Sequence, residues 1–263
     1  MSVQSIDRAF DIIELLSVEP NGLTMTEVGL RLELHKSTVH RLLSSMRERG
    51  YIEKSQVTGN YRLGLGFIEL ASLYLNGLAL KTEAQPFMRR LTKLTGHTTF
   101  LAIRDDREVV YIDKMETFDS LRRYQIIGRR RPLHATGLGK ALLSGMRDKE
   151  IKQLYKKPPM EKLTKKTLAS LEDLMTQIQD TRSRGWSVDD EENEMGTRCV
   201  GAPIYDYRDR VIAALSVAWD ISTHPDLTWE EMAPHVSDCA NDISIKMGSL
   251  RRKKSRHSDA LSI

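Results

Sequence analysis

The sequence predicts an α+β protein in two parts. A small N-terminal unit of three helices and a β-hairpin precedes a larger unit in which helices flank a mainly antiparallel sheet. Three observations carry this. Apolar residues recur at helical spacing three times before residue 50. Two short strands around a turn follow at once. Beyond residue 81, pairs of strands joined by Asp- and Arg-containing turns lie between helical stretches, the pattern of helices packed on a hairpin-built sheet.

The first helix places Ile6, Ala9, Phe10, Ile13 and Leu16 on one stripe, which is expected to supply the core of the small unit. Thr24 and Glu27 form the S/T-x-x-E capping box of a second helix carrying Met25, Val28 and Leu32, with Leu34 in the connection that follows. A third helix opens near His35, with Val39, Leu42, Leu43 and Met46 inward and Lys36, Ser37, His40, Arg41 and Ser44 outward. Two short helices, the second apolar inside and basic outside, describe a helix-turn-helix whose second helix enters a DNA major groove. A surface helical hairpin with a solvated face is the alternative. Gly50 ends the helix, and Tyr51–Lys54 and Tyr61–Leu63 then pair around a Gly59-Asn60 turn, as the wing of a winged helix does. Lys36, Ser37, Thr38, His40 and Arg41 are expected to reach bases or phosphates. Arg47, Tyr61 and Arg62 are expected to position the phosphate backbone.

Composition bounds the function. The 263 residues suffice for two domains, no run of 18 apolar residues is present, and the N-terminus has no signal-peptide pattern. Only Cys199 and Cys239 occur, far apart, which points to a reducing cytoplasm rather than a disulfide scaffold. No Cys/His spacing of a metal site is present, and neither metal nor cofactor is expected. The net charge of +4 equals that of residues 251–263 alone, so it says little about the rest. Residues 31–49, by contrast, hold Arg31, Lys36, Arg41, Arg47 and Arg49 against Glu33 and Glu48, a local positive stripe suited to a site-specific reader.

These readings divide the chain into a winged helix-turn-helix over residues 1–64, a linker or dimerisation helix over 65–80, an α+β domain over 81–250 and a basic disordered tail over 251–263. The linker carries Phe67, Leu70, Ala71, Tyr74 and Leu78 on one stripe and Ile68, Leu73 and Leu75 on other faces, so burial on more than one side is expected, against a second copy. An ordinary buried helix of a single domain is the alternative. In the third segment a helix bearing Ala84, Phe87, Met88 and Leu91 leads into strands at Thr98–Ile103 and Val109–Met115, then Leu121–Ile127. Helices follow near Thr136 and through Leu171, Leu174, Met175 and Ile178 to Gly185. A hairpin of Cys199–Tyr205 and Arg210–Trp219 and a last helix bearing Trp229, Met232, Val236, Ala240 and Ile243 complete it.

Two stretches look chemical. Residues 120–147 contain Arg122, Arg123, Arg129, Arg130, Arg131, Lys140 and Arg147 and no acid. Within them a glycine-bearing loop enters a helix at Thr136-Gly137, which presents free backbone N–H groups to a small anion such as a carboxylate. Surface charge and an ordinary turn would give the same pattern. Asp189-Asp190-Glu191-Glu192 precedes Arg198-Cys199; four consecutive carboxylates usually form a solvated loop, with one or two instead reaching hydroxyls of a polar ligand or pairing with those arginines. Cys199 with His134 also admits an enzyme reading, nucleophile and base, although a Cys in an apolar strand is more often a small buried side chain. A winged helix serving only protein contacts is a third class.

The chain resembles the isocitrate lyase regulator (IclR) family of bacterial transcription regulators over residues 2–250. The motifs are Lys36-Ser-Thr-Val-His-Arg-Leu-Leu43, Pro132-Leu-His-Ala-Thr-Gly-Leu-Gly-Lys140, and Asp189-Asp190-Glu191-Glu192 leading to Arg198-Cys199. Leu121–Leu133 further resembles the branch regulating 2-keto-3-deoxygluconate and pectin-derived sugar acids. The resemblance implies a GAF-like effector domain, no catalytic residues, and a cytoplasmic dimer or dimer of dimers on operator DNA that answers to a small organic acid. It places effector contacts at Gly137, Leu138, Asp189, Cys199 and Ser216. Ala218 stands where relatives that bind very small keto acids can have a second serine, and Thr197 where an apolar residue is common. Both favour a different or more hydroxylated ligand. His35 replaces a frequent proline at the start of the recognition helix.

Overall fold

The computed structural model describes residues 3–76, 79–116, 127–157 and 159–250, with 72–76 and 79 as backbone only. The chain forms two compact units, Met1–Gly77 and Leu78–Ile263.

In the first unit α1 (Gln4–Ser17), α2 (Met25–Arg31) and α3 (Lys36–Glu48) precede β1 (Ile52–Lys54), β2 (Tyr61–Leu63) and α4 (Gly66–Asn76). The capping box forms as the sequence predicts: Glu27 N–H donates to Thr24 Oγ1 and Thr24 N–H to Glu27 Oε2. Leu23 and Tyr61 exchange two backbone hydrogen bonds, 2.9 and 2.7 Å, which clamp the entry of α2 to the wing. The core joins Ile12 and Leu16 of α1 to Val28, Val39, Leu43, Met46, Ile52 and Tyr61. The stripe expected on α1 is therefore corrected. Ile6 and Phe10 are 53 % and 58 % exposed, and Ile12, fully buried, takes the inward place. The helix carries two overlapping apolar stripes, and packing selects the one centred on Ile12. On α4, Phe67 meets the Tyr51 ring at 5.3 Å, while Ile68 and Leu70 are more than half exposed. Leu73, Tyr74, Leu75 and Leu78 lie outside the described side chains.

The second unit begins with α5 (Ala79–Thr95), whose Ala84, Met88 and Leu91 are buried. Then come β3 (Thr98–Asp105), β4 (Glu108–Met115) and β5 (Arg130–Pro132), followed by a 3-10 turn, Leu133–Ala135. Next are α6 (Gly137–Ser144), α7 (Asp148–Leu154), α8 (Leu171–Arg184) and β6 (Ser187–Asp190). The unit closes with β7 (Thr197–Tyr205), β8 (Val211–Asp220) and α9 (Trp229–Lys246). The six strands form one antiparallel sheet in the order β5-β4-β3-β8-β7-β6. Side chains alternate between its faces. Phe100, Ala102, Tyr111, Cys199, Ala214 and Ala218 meet Leu138, Leu142, Ile151, Leu174 and Ile178 from α6, α7 and α8 in one core. Helices α5 and α9 pack on each other and cover the opposite face.

Two hairpins and the long helices stand where the periodicity puts them. The expected strand at Leu121–Ile127 falls largely on residues outside the described set. Strand β5 lies instead within the arginine stretch, and β6 within the acidic run.

Helix α6 approaches the turn before it so closely that a Cβ on Gly139 would overlap the Leu133 carbonyl. Gly139→Ala is expected to destabilise the protein by about 3 kcal/mol through overpacking against backbone. Thermal and urea melts of the full chain check this, and an unchanged midpoint would show that the turn yields.

Candidate functional site

Each unit carries one candidate site. On the first, α3 buries Val39, Leu43 and Met46 and leaves Lys36, Ser37, His40, Arg41 and Arg47 exposed, with Thr38 half-buried. Six donors thus lie on a helix fixed from behind. His35 is the N-cap and gives no side-chain bond to the first turn, so the leading N–H groups of α3 remain available to an anion. Arg62 is exposed on the wing and pairs with Glu53. Tyr61 corrects the sequence expectation: it is 8 % exposed and belongs to the core of the unit. Its ring sits under the Lys54 ammonium at 5.3 Å, so Lys54, not singled out from the sequence, is the exposed cation at that end of the wing.

The second site is a narrow cavity of about 20 Å³, room for about one water, between the start of α6 and the sheet. Gly137, Leu138, Asp189, Cys199 and Ser216, the five residues placed there by resemblance, all line it. Phe100, Tyr111, Thr136, Asn193, Thr197 and Ala218 complete the wall. Thr136 caps α6 by accepting from Gly139 N–H at 2.9 Å, which leaves the N–H groups of Gly137 and Leu138 as the unbonded start of the helix. Glycine at 137 keeps that end open, since a Cβ there would stand 3.1 Å from Cys199 Sγ. Gly201 allows equally close approach from the sheet, and Ser187 Oγ donates to the Gly137 carbonyl at 2.6 Å. Ser216, 1 % exposed, has an Oγ with no hydrogen-bond partner, as do Asn193 Oδ1 and Glu192 Oε2. Unsatisfied buried polar atoms are costly and mark places where something further binds.

Behind the cavity lies a buried charge cluster. Lys140, three residues into α6 and wholly buried, donates to Glu192 Oε1 at 2.6 Å. Asp189 Oδ1 accepts from the backbone N–H groups of Glu192 at 2.8 Å and Asn193 at 3.3 Å. Burial pushes the Asp189 carboxyl up to about 7; the Lys140 ammonium pulls against this and the Glu192 carboxylate adds to it. Tyr111 is raised well above an ordinary phenol, chiefly by burial, and stays a proton donor. The loop over residues 191–196 is braced from outside. Thr164 and Thr167 hydroxyls donate to the Glu191 and Glu192 carbonyls, and Lys166 pairs with Asp190 and Glu191.

Three expectations need correction. The acidic run is not one solvated loop: Asp189 and Asp190 lie in β6, and Glu192 is buried with Lys140. Among the described residues, the ion pairs of the acidic run are with Lys140, Lys166 and Arg198 rather than with the arginines of residues 120–147, none of which lines the cavity. Arg130 lies on β5 and pairs with Asp105 and Glu108, while Arg122 and Arg123 lie outside the described set. His134 is not brought to Cys199 as a base. Its Nε2 bonds the Glu161 carbonyl at 2.9 Å, its ring packs on Tyr155, and burial lowers its pKa.

Comparison with known proteins covers both units. Residues 5–56 match the IclR helix-turn-helix domain, and residues 72–245 match the family described as bacterial transcriptional regulator IclR C-terminal. The chain is 38 % identical over 216 residues to the HTH-type transcriptional regulator XynR of Escherichia coli K12, covering 82 % of this chain and 86 % of XynR. It is 34 % identical over 247 residues to KdgR of the same strain, covering 94 % of each. The crystal structure of Thermotoga maritima IclR superposes with a TM-score of 0.80 at 27 % identity, over 93 % of this chain and 99 % of that one.

Removing one partner of the buried pair leaves a bare charge. Lys140→Met is expected to cost about 3–5 kcal/mol, and Lys140→Met with Glu192→Met together to recover most of it. A double-mutant cycle by chemical denaturation measures both. Equal losses in the single and double variants would show that Lys140 acts through packing alone.

Proposed function

The chain belongs to the IclR family of bacterial transcriptional regulators, and from that premise we propose that it is a cytoplasmic repressor of a catabolic operon released by a small carboxylate. In this reading residues 1–64 bind operator DNA, 65–80 link and dimerise, and 81–250 bind the effector, a sugar acid or keto acid. Lys36, Ser37, Thr38, His40 and Arg41 reach bases or phosphates, and Arg47 and Arg62 hold the backbone. A dimer, or a dimer of dimers, matches paired half-sites. The effector sits with its carboxylate at the Gly137 and Leu138 N–H groups and its oxygen functions toward Ser216, Cys199 and Asp189.

One observation carries the effector reading: Ser216 Oγ, buried and unpartnered, faces a cavity at the open start of a helix. A helix start attracts an anion, and the free hydroxyl supplies a further hydrogen bond. The effector alters operator affinity by as much as it prefers one arrangement of the dimer over the other.

Two experiments test this. A ligand that binds only the native state raises its apparent stability by RT ln(1 + [L]/Kd). Thermal melts against pyruvate, glyoxylate, 2-keto-3-deoxygluconate, hexuronates and aromatic acids are expected to give a saturable shift with one class. Ser216→Ala and Asp189→Ala are expected to abolish it. No shift with any acid would remove the cavity from the mechanism.

On the DNA side, Arg41→Ala is expected to weaken operator binding by about 1–3 kcal/mol while leaving random-sequence binding nearly unchanged. Equal losses on both DNAs, in a retention assay at fixed salt, would make Arg41 a phosphate contact only.

A further inference from the structure

We infer that Asp189 meets the effector as a neutral carboxylic acid, so that the cavity admits a monocarboxylate together with one proton. This rests on the cavity being the effector pocket. Its grounds are the placement of three ionisable groups with one cation among them.

Asp189 pairs with Cys199 across β6 and β7, and Cys199 Sγ borders Gly137 at the start of α6. Adjacent antiparallel residues stand about 5 Å apart, so a carboxylate held at the Gly137 and Leu138 N–H groups lies within like-charge range of Asp189. The cation that acts on Asp189 is Lys140, and its ammonium already serves Glu192 Oε1. The groups acting on Asp189 are Lys140 from α6 and Glu192 with the Asn193 N–H from the 191–196 loop. Tyr111 on β4 faces Asp189 and is itself reached by Cys199 of β7, Glu194 of the loop and Arg129 ahead of β5. With Asp189, Glu192 and a ligand all ionised, the dry side of the cavity would hold three carboxylates against one ammonium. A site that cannot hydrate such charges takes up a proton instead.

Asp189 is the group poised to take it. One of its oxygens is already occupied by two backbone N–H donors. The carboxyl lines the cavity, and its titration sits near neutrality before any ligand arrives. A bound anion raises it further, and the protonated oxygen then donates to the ligand. The same reasoning excludes dicarboxylates, whose second charge would face Asp189 and Glu192.

The sign follows. Below pH 6 Asp189 is protonated with or without ligand, and binding moves no proton. Near pH 8 it is largely ionised when empty and protonated when filled, so binding takes up close to one proton, and affinity falls up to tenfold for each pH unit above about 7.

Isothermal titration of the full chain with pyruvate, glyoxylate or 2-keto-3-deoxygluconate, in buffers of differing ionisation enthalpy at pH 6 and pH 8, reads the uptake directly. The expected result is near zero at pH 6 and near one at pH 8, with malonate failing to bind. Asp189→Asn is expected to retain the binding monocarboxylate and to lose the uptake and the pH slope. Binding with no uptake at pH 8, or an uptake that survives in Asp189→Asn, would overturn the inference and leave the effector pocket standing. Failure of these three acids, of the hexuronates and of the aromatic acids to bind at pH 6 would instead overturn the pocket reading beneath it.

Discussion

The Lys140–Glu192 ion pair is the constraint around which the second unit is organised. An ammonium on the second turn of α6 and a carboxylate on the loop between β6 and β7 meet where neither is hydrated. Each charge is tolerable there only because of the other. The pair fixes two further things at once. It sets the axial position of α6, so the unbonded N–H groups of Gly137 and Leu138 open onto the sheet rather than into packing. It also pins the loop whose backbone donors hold Asp189, so the acidic side of the cavity and its helix-start side are positioned by one contact. The glycines at 137, 139 and 201 are the steric counterpart, since this approach of helix, turn and sheet leaves no room for a Cβ at 139 and little at the other two.

The two units encode their sites differently. On α3 the functional side chains and the apolar ones that aim them alternate within thirteen residues, so one periodicity both builds the helix and presents its donors. Helix start, helix end and wing turn all have local signals, and the exposed polar face of α3 was therefore legible from spacing. Tyr61 shows the limit of that reading. A three-residue strand does not reveal which side its ring takes, and the Leu23 clamp turns it inward. Likewise, α1 offers two apolar stripes, and only the tertiary packing shows that Ile12 rather than Phe10 is central.

The cavity was legible in part. Thr136 as a cap and glycines at a helix start are local signals, and they located the helix-start end of the cavity. The acidic end depends on pairs remote in sequence: Lys140 with Glu192 across 52 residues, and Ser187 with Gly137 across 50. Spacing carries no information about such pairs, and four consecutive carboxylates favour a solvated loop on composition alone. That two of them lie in an edge strand, and that Asp189 and Glu192 are buried while Asp190 and Glu191 are not, follows the supply of counter-charges, Lys166 and Arg198 outside and Lys140 inside. Asp189, Cys199 and Ser216 were placed by family resemblance, and the sheet register supplies the physical reason they converge. Cys199 lies opposite Asp189 on one side and Ala218 on the other, while Ser216 lies one pleat along, facing Gly201.

That register also says where the polarity of the cavity is concentrated. Strand β8 offers one hydroxyl, Ser216, and then Ala218, so the wall nearest β3 is largely apolar and backed by the Phe100 and Tyr111 rings, which meet edge to face. The opposite wall gathers Asp189, Asn193 and Thr197, all from β6, β7 or the loop between them. A ligand anchored by its carboxylate at α6 therefore meets carbon-compatible surface on one side and hydrogen-bonding groups on the other. Such asymmetry selects orientation as well as size, because reversing the ligand would set its oxygen atoms against the aromatic wall and leave buried acceptors unpaired. The polar wall is also the one held by the Lys140–Glu192 pair and braced by Thr164, Thr167 and Lys166. Ligand recognition and the position of the 191–196 loop are thus one mechanical problem, and any arrangement of the loop that differs between filled and empty states must be felt by α6 through that ion pair.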